Sequence, residues 1–170
     1  MGTISESYKA LLQRTHAESP GWGTTAYKVV DRIRRVIAPA DRRILDYGCG
    51  KGSLKAILET PDLTIVEYDP GIPGKDTPPE GPFDLVVCVD VLEHVEPEFV
   101  DAVLDDLFRL SDQVFVIVDT YAAKKILPDG RNAHLSIAGS MWWQAKLDQR
   151  GFVLFAESDG RRLEALYART

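Results

Sequence analysis

Sulfur and imidazole are scarce in this chain: its 170 residues include two cysteines, two methionines and three histidines. Cys49 and Cys88 lack the paired spacing of a zinc site or a disulfide framework, and both fall in apolar stretches. They read as reduced, buried thiols, which points to a cytoplasmic protein. Long apolar runs are missing too. The longest, residues 85–89 and 114–118, fall far short of the roughly 20 residues a membrane-spanning helix needs. The first twenty residues carry charges throughout and contain no signal-type apolar core. A basic excess is also absent, since 20 lysines and arginines face 26 acids for a net charge of −6. That balance argues against a membrane or an extended nucleic-acid surface and leaves a small molecule, a protein or an RNA end as partner. The local basic clusters, at Arg32, Arg34 and Arg35, at Arg42 and Arg43, at Lys124 and Lys125, and at Arg161 and Arg162, read as solvated faces.

What is present is enough for one domain with a real core. Residues 1–25 form a polar, partly helical arm ending in SPGWG, where Trp22 is a candidate turn anchor or lid. Residues 26–170 read as a single unit. Apolar side chains at Ala26, Val29, Val30, Ile33, Val36 and Ile37 predict an amphipathic helix stopped by Pro39. A short strand over 43–47 follows, then a glycine turn, a helix over 53–59 and a strand over 63–68. Residues 70–82, rich in glycine and proline, are loop. The continuous apolar runs 84–91 and 113–119 predict strands buried on both faces of a parallel sheet. Between them, Val100, Val103, Leu104, Leu107 and Phe108 mark one face of a helix over 97–110. A polar loop, a helix over 141–150 and a hairpin of strands 152–157 and 163–168 complete the chain. The layout is α/β, doubly wound and Rossmann-like, mostly parallel with a C-terminal antiparallel hairpin. The unusual residues gather where the strands end, the edge at which such sheets bind ligands.

The sharpest signal is ILDYGCGKG at 44–52, with Gly48, Gly50 and Gly52 in five positions. Glycine at this density implies positive φ or a backbone lying against a ligand. A P-loop is ruled out, because Lys51 is followed by Gly52 and the spacing fails. A dinucleotide fingerprint needs G-x-G-x-x-G and has no acid in front of it, whereas this turn is G-x-G-x-G behind Asp46. An acid there repels a pyrophosphate and suits a ligand with an ammonium group.

LDYGCGKG resembles the first motif of the class I S-adenosylmethionine-dependent methyltransferases. VEYDP, ending a strand with Asp69, is similar to the family's ribose-binding acid. FDLVVCVDVLEHV at 83–95 looks like its fourth strand and following turn. The resemblance spans roughly residues 40–169 and implies S-adenosylmethionine as cofactor, held by Asp46, Gly48, Gly50, Gly52, Asp69 and Asp90. The chain also resembles compact bacterial and phage-type members. One departure stands out: only thirteen residues separate Asp69 from Phe83, too few for the family's next helix and strand. The sheet is therefore expected to lack its usual third strand, with Asp76 or a backbone group replacing the adenine-contacting acid. The acceptor would then be read by the arm and by the loop at 120–140.

Two of the three histidines, His94 and His134, fall at the proposed edge. Asp90, Glu93 and His94 at i, i+3 and i+4 share one side of a nascent helical turn. With His134 they make an oxygen–nitrogen donor set suited to a divalent metal. The pattern, together with AHLSIAGSMWW, is weakly similar to small-RNA 3′-terminal ribose methyltransferases, although Asp90 stands where they have a glutamate. Three readings stay open for these side chains: metal ligands, catalytic His94, His134 and Glu93 without metal, or structural groups. Trp142 and Trp143 read first as core and helix-face packing. The functions implied are a methyltransferase with an unidentified acceptor, a non-catalytic S-adenosylmethionine-binding domain, or a metal-dependent RNA 3′-end ribose 2′-O-methyltransferase.

Overall fold

The computed structural model describes residues 2–19, 23–24 and 26–169, so Trp22 lies outside the described residues. Six strands form one sheet: β1 (Arg43–Tyr47), β2 (Thr64–Tyr68), β3 (Leu85–Val89), β4 (Gln113–Asp119), β5 (Gly151–Ser158) and β6 (Arg162–Arg169). Their order is β2-β1-β3-β4-β6-β5, with the first four parallel and β6 antiparallel to both β4 and β5. Among the described residues the α-helices are α1 (Glu6–Glu18), α2 (Val30–Val36), α3 (Ser53–Leu58), α4 (Val100–Leu110) and α5 (Ser140–Leu147).

Alternation along the central strands explains why both faces of the sheet are covered. Leu45, Tyr47, Val86, Cys88, Val114 and Val116 face α4 and α5, packing on Val103, Leu104, Leu107, Trp143 and Leu147. Their strand neighbours Ile44, Ile65, Leu85, Val87, Phe115 and Ile117 point the other way, onto Ile33 of α2 and Leu54 and Leu58 of α3. Trp143 is fully buried in the core, whereas Trp142 is exposed and meets Trp143 edge to face. A third, smaller cluster joins Tyr8 and Leu11 of α1 to Leu127 and Ala133 of the loop after β4.

The missing strand is confirmed: β2 is the sheet edge, and residues 69–75 instead close a compact turn with Asp69 N–H bonded to Lys75 O at 3.0 Å. Element ends shift where side chains intervene. Asp84, expected inside the third strand, instead accepts hydrogen bonds from the backbone N–H groups of Arg42 and Arg43 at 2.8 Å each. Asp90 leaves the strand with φ +53°, a left-handed conformation that aspartate tolerates. Residues 26–29 and 97–99 wind as 3₁₀ turns ahead of α2 and α4. Among the described residues, no helix is long and apolar enough to cross a membrane.

Candidate active site

The glycine turn joins β1 to α3 at the carboxyl edge of the sheet. Gly48 and Cys49 both donate to Tyr68 O, at 2.7 and 3.0 Å, which bends the chain sharply out of β1. Gly48, Gly50 and Gly52 all have positive φ, at +76°, +53° and +83°. Each also meets another part of the protein. A Cβ on Gly48 would lie 2.3 Å from Val91, and one on Gly50 would lie 2.4 Å from the Gly23 carbonyl oxygen. One on Gly52 would strike Glu67, so Gly52 serves the packing of the α3 start and lies off the cavity described next.

A cavity of about 420 Å³ runs along this edge. Gly48, Gly50, Asp69 and Asp90 line its wall on the glycine-turn side; His94, His134, Asp119 and Tyr121 line the wall beyond β3. Tyr8, Leu12 and His16 of α1 also line it. Helix α1 is anchored there by Ser5, which donates from its N–H and hydroxyl to the Glu96 carboxylate at 3.0 and 2.7 Å. His16 was not singled out by sequence. It lies where a Cβ on Gly23 or Gly71 would touch it, and burial lowers its pKa.

The acids divide by environment. Asp69 accepts from Gly50 N–H at 2.9 Å and Gly71 N–H at 2.8 Å, bracing the turn from the cavity wall. Asp46 is buried beneath the turn with one carboxylate oxygen unpartnered, off the cavity wall. Burial, reinforced by Glu67, pushes its pKa up to about 7. Asp76 stands apart, paired with Lys9 of α1 at 3.0 Å. Glu93 is fully buried; one oxygen accepts Asp119 N–H at 2.9 Å, and the other has no partner. Burial and the nearby Asp90 raise its pKa to about 8, so it is protonated at neutral pH.

His94 Nδ1 bonds Ala133 O at 2.7 Å, and His134 Nδ1 bonds Tyr121 O. A carbonyl can only accept, so both rings carry a proton on Nδ1 and turn Nε2 away from that bond. The rings meet edge to face with centroids 4.8 Å apart. Burial, together with His134, lowers the His94 pKa to about 4, so His94 stays neutral.

Asp90, Glu93, His94 and His134 do not assemble as one donor set. Glu93, Asp119 and His134 do, each offering an atom within 4.8 Å of the others. Asp119, missed in the sequence, closes β4. Arg162 already supplies the positive charge there, with Nε 2.7 Å from Asp119 and Nη2 3.3 Å from Asp90. Burial favours the protonated form of Glu93 and a guanidinium engages Asp119; a divalent ion held by this set would need both carboxylates ionised.

The raised acid predicts a pH-dependent stability. Glu93 has an ordinary value of 4.5, so between 4.5 and 8 the folded state holds a proton that the unfolded chain has released. Stability must fall with pH across that window. Below 6.5 the lowered values of His94 and His16 work in the opposite sense, because the unfolded chain then binds their protons. Above 6.5 only Glu93 and, up to about 7, Asp46 remain. Chemical denaturation is therefore expected to show a loss of about 2 kcal/mol between pH 6.5 and 8. Glu93→Gln should remove most of it. A flat parent curve would mean that Arg162 keeps Glu93 ionised.

The methyltransferase-domain family model matches residues 22–163. No curated protein matches the chain in sequence. Among solved structures it is similar to 1,6-didemethyltoxoflavin-N1-methyltransferase from Burkholderia thailandensis, solved with 1,6-didemethyltoxoflavin and S-adenosylhomocysteine bound. The TM-score is 0.70 at 13% identity, over 96% of this chain and 89% of that one. It is also similar to N-methyltransferase NodS from Bradyrhizobium japonicum WM9 in complex with S-adenosylhomocysteine, with TM-score 0.66 and 16% identity over 93% and 96% of the chains. A third is the N-terminal domain of EvdMO1, solved with S-adenosylhomocysteine and D-fucose, with TM-score 0.60 and 18% identity over 100% and 99%. With the glycine turn, the edge cavity and the mostly parallel sheet in place, the family model settles the family and the solved structures the fold. The chain belongs to the methyltransferase-domain family and has the Rossmann-like fold of the class I S-adenosylmethionine-dependent methyltransferases.

Proposed function

We propose that this chain transfers a methyl group from S-adenosylmethionine to a hydroxyl acceptor, with His134 as general base. One observation carries the reading: a single cavity holds both the glycine turn with Asp69 and the His94–His134 pair. On the cofactor side, Gly48 and Gly50 bring bare backbone to the ligand, and Asp69 retains lone pairs for ribose hydroxyls beside its two backbone bonds. Asp69 gives this end a negative charge that suits a sulfonium and an ammonium, while Asp90 is paired with Arg162. Asp46 and Gly52 support the turn from behind. Helix α1, part of the N-terminal arm, covers the site with Tyr8, Leu12 and His16 and helps exclude water.

Transfer is a displacement at the methyl carbon. The acceptor proton passes to His134 Nε2, the oxygen lone pair forms the new C–O bond, and the C–S pair returns to sulfur as S-adenosylhomocysteine leaves. The protein's main contribution is alignment of acceptor and methyl. Asp119, near His134, stabilises the imidazolium formed. Glu93, holding the Asp119 N–H, is assigned to positioning. The buried free thiols Cys49 and Cys88 support a cytoplasmic setting.

Calorimetric titration of S-adenosylhomocysteine is the test. Binding is expected in metal-free buffer, weakened about tenfold or more in Asp69→Ala through loss of charge-assisted hydrogen bonds. Absence of binding, or binding only when manganese is added, would overturn the reading.

A further inference from the structure

The cavity changes charge along its length. Asp69 and Asp90 line the end at the glycine turn, whereas Lys124, Lys125 and Arg161 line the end beyond the two histidines. Of the acids lining the cavity away from the glycine turn, Asp119 is paired with Arg162, and Glu96 accepts hydrogen bonds from Ser5. In sequence, these cations read as ordinary solvated faces of an acidic chain. The fold brings them from two separate segments, the loop after β4 and the β5–β6 turn, to one opening.

Their placement relative to His134 is fixed. Asn132 Oδ1 accepts from Ala123 N–H at 3.0 Å and from His134 N–H at 2.9 Å, and its amide donates to Ala123 O at 2.8 Å. Ala133 N–H bonds Lys125 O at 3.1 Å, so the segment bearing the lysines is tied to the segment bearing the histidine. Arg161 lies over the Tyr121 ring, 4.4 Å from its centroid, and the carbonyl of Tyr121 holds His134 Nδ1. A planar guanidinium stacked in this way is pre-organised to grip a carboxylate or phosphate.

We infer that the methyl acceptor is a small anionic molecule whose carboxylate or phosphate rests on Lys124, Lys125 and Arg161 while its hydroxyl reaches His134. The inference rests on the methyltransferase reading for the role of that hydroxyl; the anion site itself does not depend on it. The volume favours a small acceptor. About 420 Å³ is the scale of one drug-sized ligand, so the cofactor fills most of it and the acceptor occupies the remainder and the mouth. A polymer would need basic surface beyond the mouth, and the chain carries a net charge of −6.

The test begins with protein saturated with S-adenosylhomocysteine, whose own titration reports separately on the cofactor reading. Benzoate, inorganic phosphate and the neutral benzamide are then titrated at low ionic strength. One of the two anions should bind with a millimolar dissociation constant and benzamide should not. Preference for benzoate assigns a carboxylate acceptor, and preference for phosphate assigns a phosphorylated one. Lys124→Gln/Arg161→Gln should weaken that anion by about tenfold or more, with unchanged S-adenosylhomocysteine affinity as the control for folding. Absence of anion binding, or anion binding insensitive to the double substitution, overturns the proposal. Micromolar binding of a single-stranded RNA oligonucleotide, lost in the same variant, also overturns it by replacing the small acceptor with an RNA end. If S-adenosylhomocysteine itself does not bind, the function reading falls, and the anion titration repeated on the free protein still decides the site.

Discussion

His134→Ala will slow methyl transfer to a hydroxyl acceptor by about 10²- to 10⁴-fold, the usual contribution of a positioned general base. S-adenosylhomocysteine affinity should stay within about threefold, because the imidazole acts only on the transferring proton. The assignment of His134 over His94 follows from their surroundings. Both rings are fixed in the same tautomer by backbone carbonyls, so tautomer does not distinguish them. Burial lowers the His94 pKa to about 4, which leaves that ring a weak proton acceptor. Asp119 stands close enough to His134 to stabilise it when protonated. His94→Gln is accordingly expected to cost less than about tenfold. Loss of rate in the His94 variant alone would exchange the two roles. Full rates in both would mean an acceptor that needs no base, such as a nitrogen.

Much of this architecture was legible because its determinants are local. The continuous apolar run DLVVCVDV announces a strand covered on both faces, and β3 is buried throughout. The short span between Asp69 and Phe83 announces the missing strand, and β2 is indeed the sheet edge. The glycine turn was legible by spacing and resemblance. Its steric reasons were not, because Val91, Gly23 and Glu67 approach the three glycines from other segments. The same limit applies to the far half of the site. Asp119 looks like the end of a buried strand until the fold sets it beside Glu93, His134 and Arg162. Lys124, Lys125 and Arg161 look like surface charge until the Asn132 clamp and the β5–β6 turn bring them to one opening. Helix α1 has a weak apolar pattern. Its position over the cavity comes from Ser5 on Glu96 and from Tyr8 and Leu11 against Leu127, partners far along the chain.

Gly48→Ala should prove as damaging to the fold as His134→Ala is to the chemistry. At φ +76° any side chain pays left-handed strain of about 1–2 kcal/mol. The new methyl would also lie 2.3 Å from one Val91 methyl and 2.8 Å from the other, an overlap that the half-buried valine must move to relieve. Overpacking of this kind adds about 1–3 kcal/mol. The sum, about 3 kcal/mol, corresponds to a melting point lower by roughly 6–12 °C in a domain of this size. The two parts can be separated. Adding Val91→Ala removes the overlap and should return about 1–2 kcal/mol as a coupling in a double-mutant cycle, leaving only the strain. Gly50→Ala admits no such rescue, because its Cβ would meet the Gly23 backbone, 2.4 Å from the oxygen and 2.7 Å from Cα. A Gly48→Ala protein that melts with the parent and binds S-adenosylhomocysteine as tightly would show that the turn relaxes freely. The glycines would then owe nothing to Val91, and the steric account of the turn would fail.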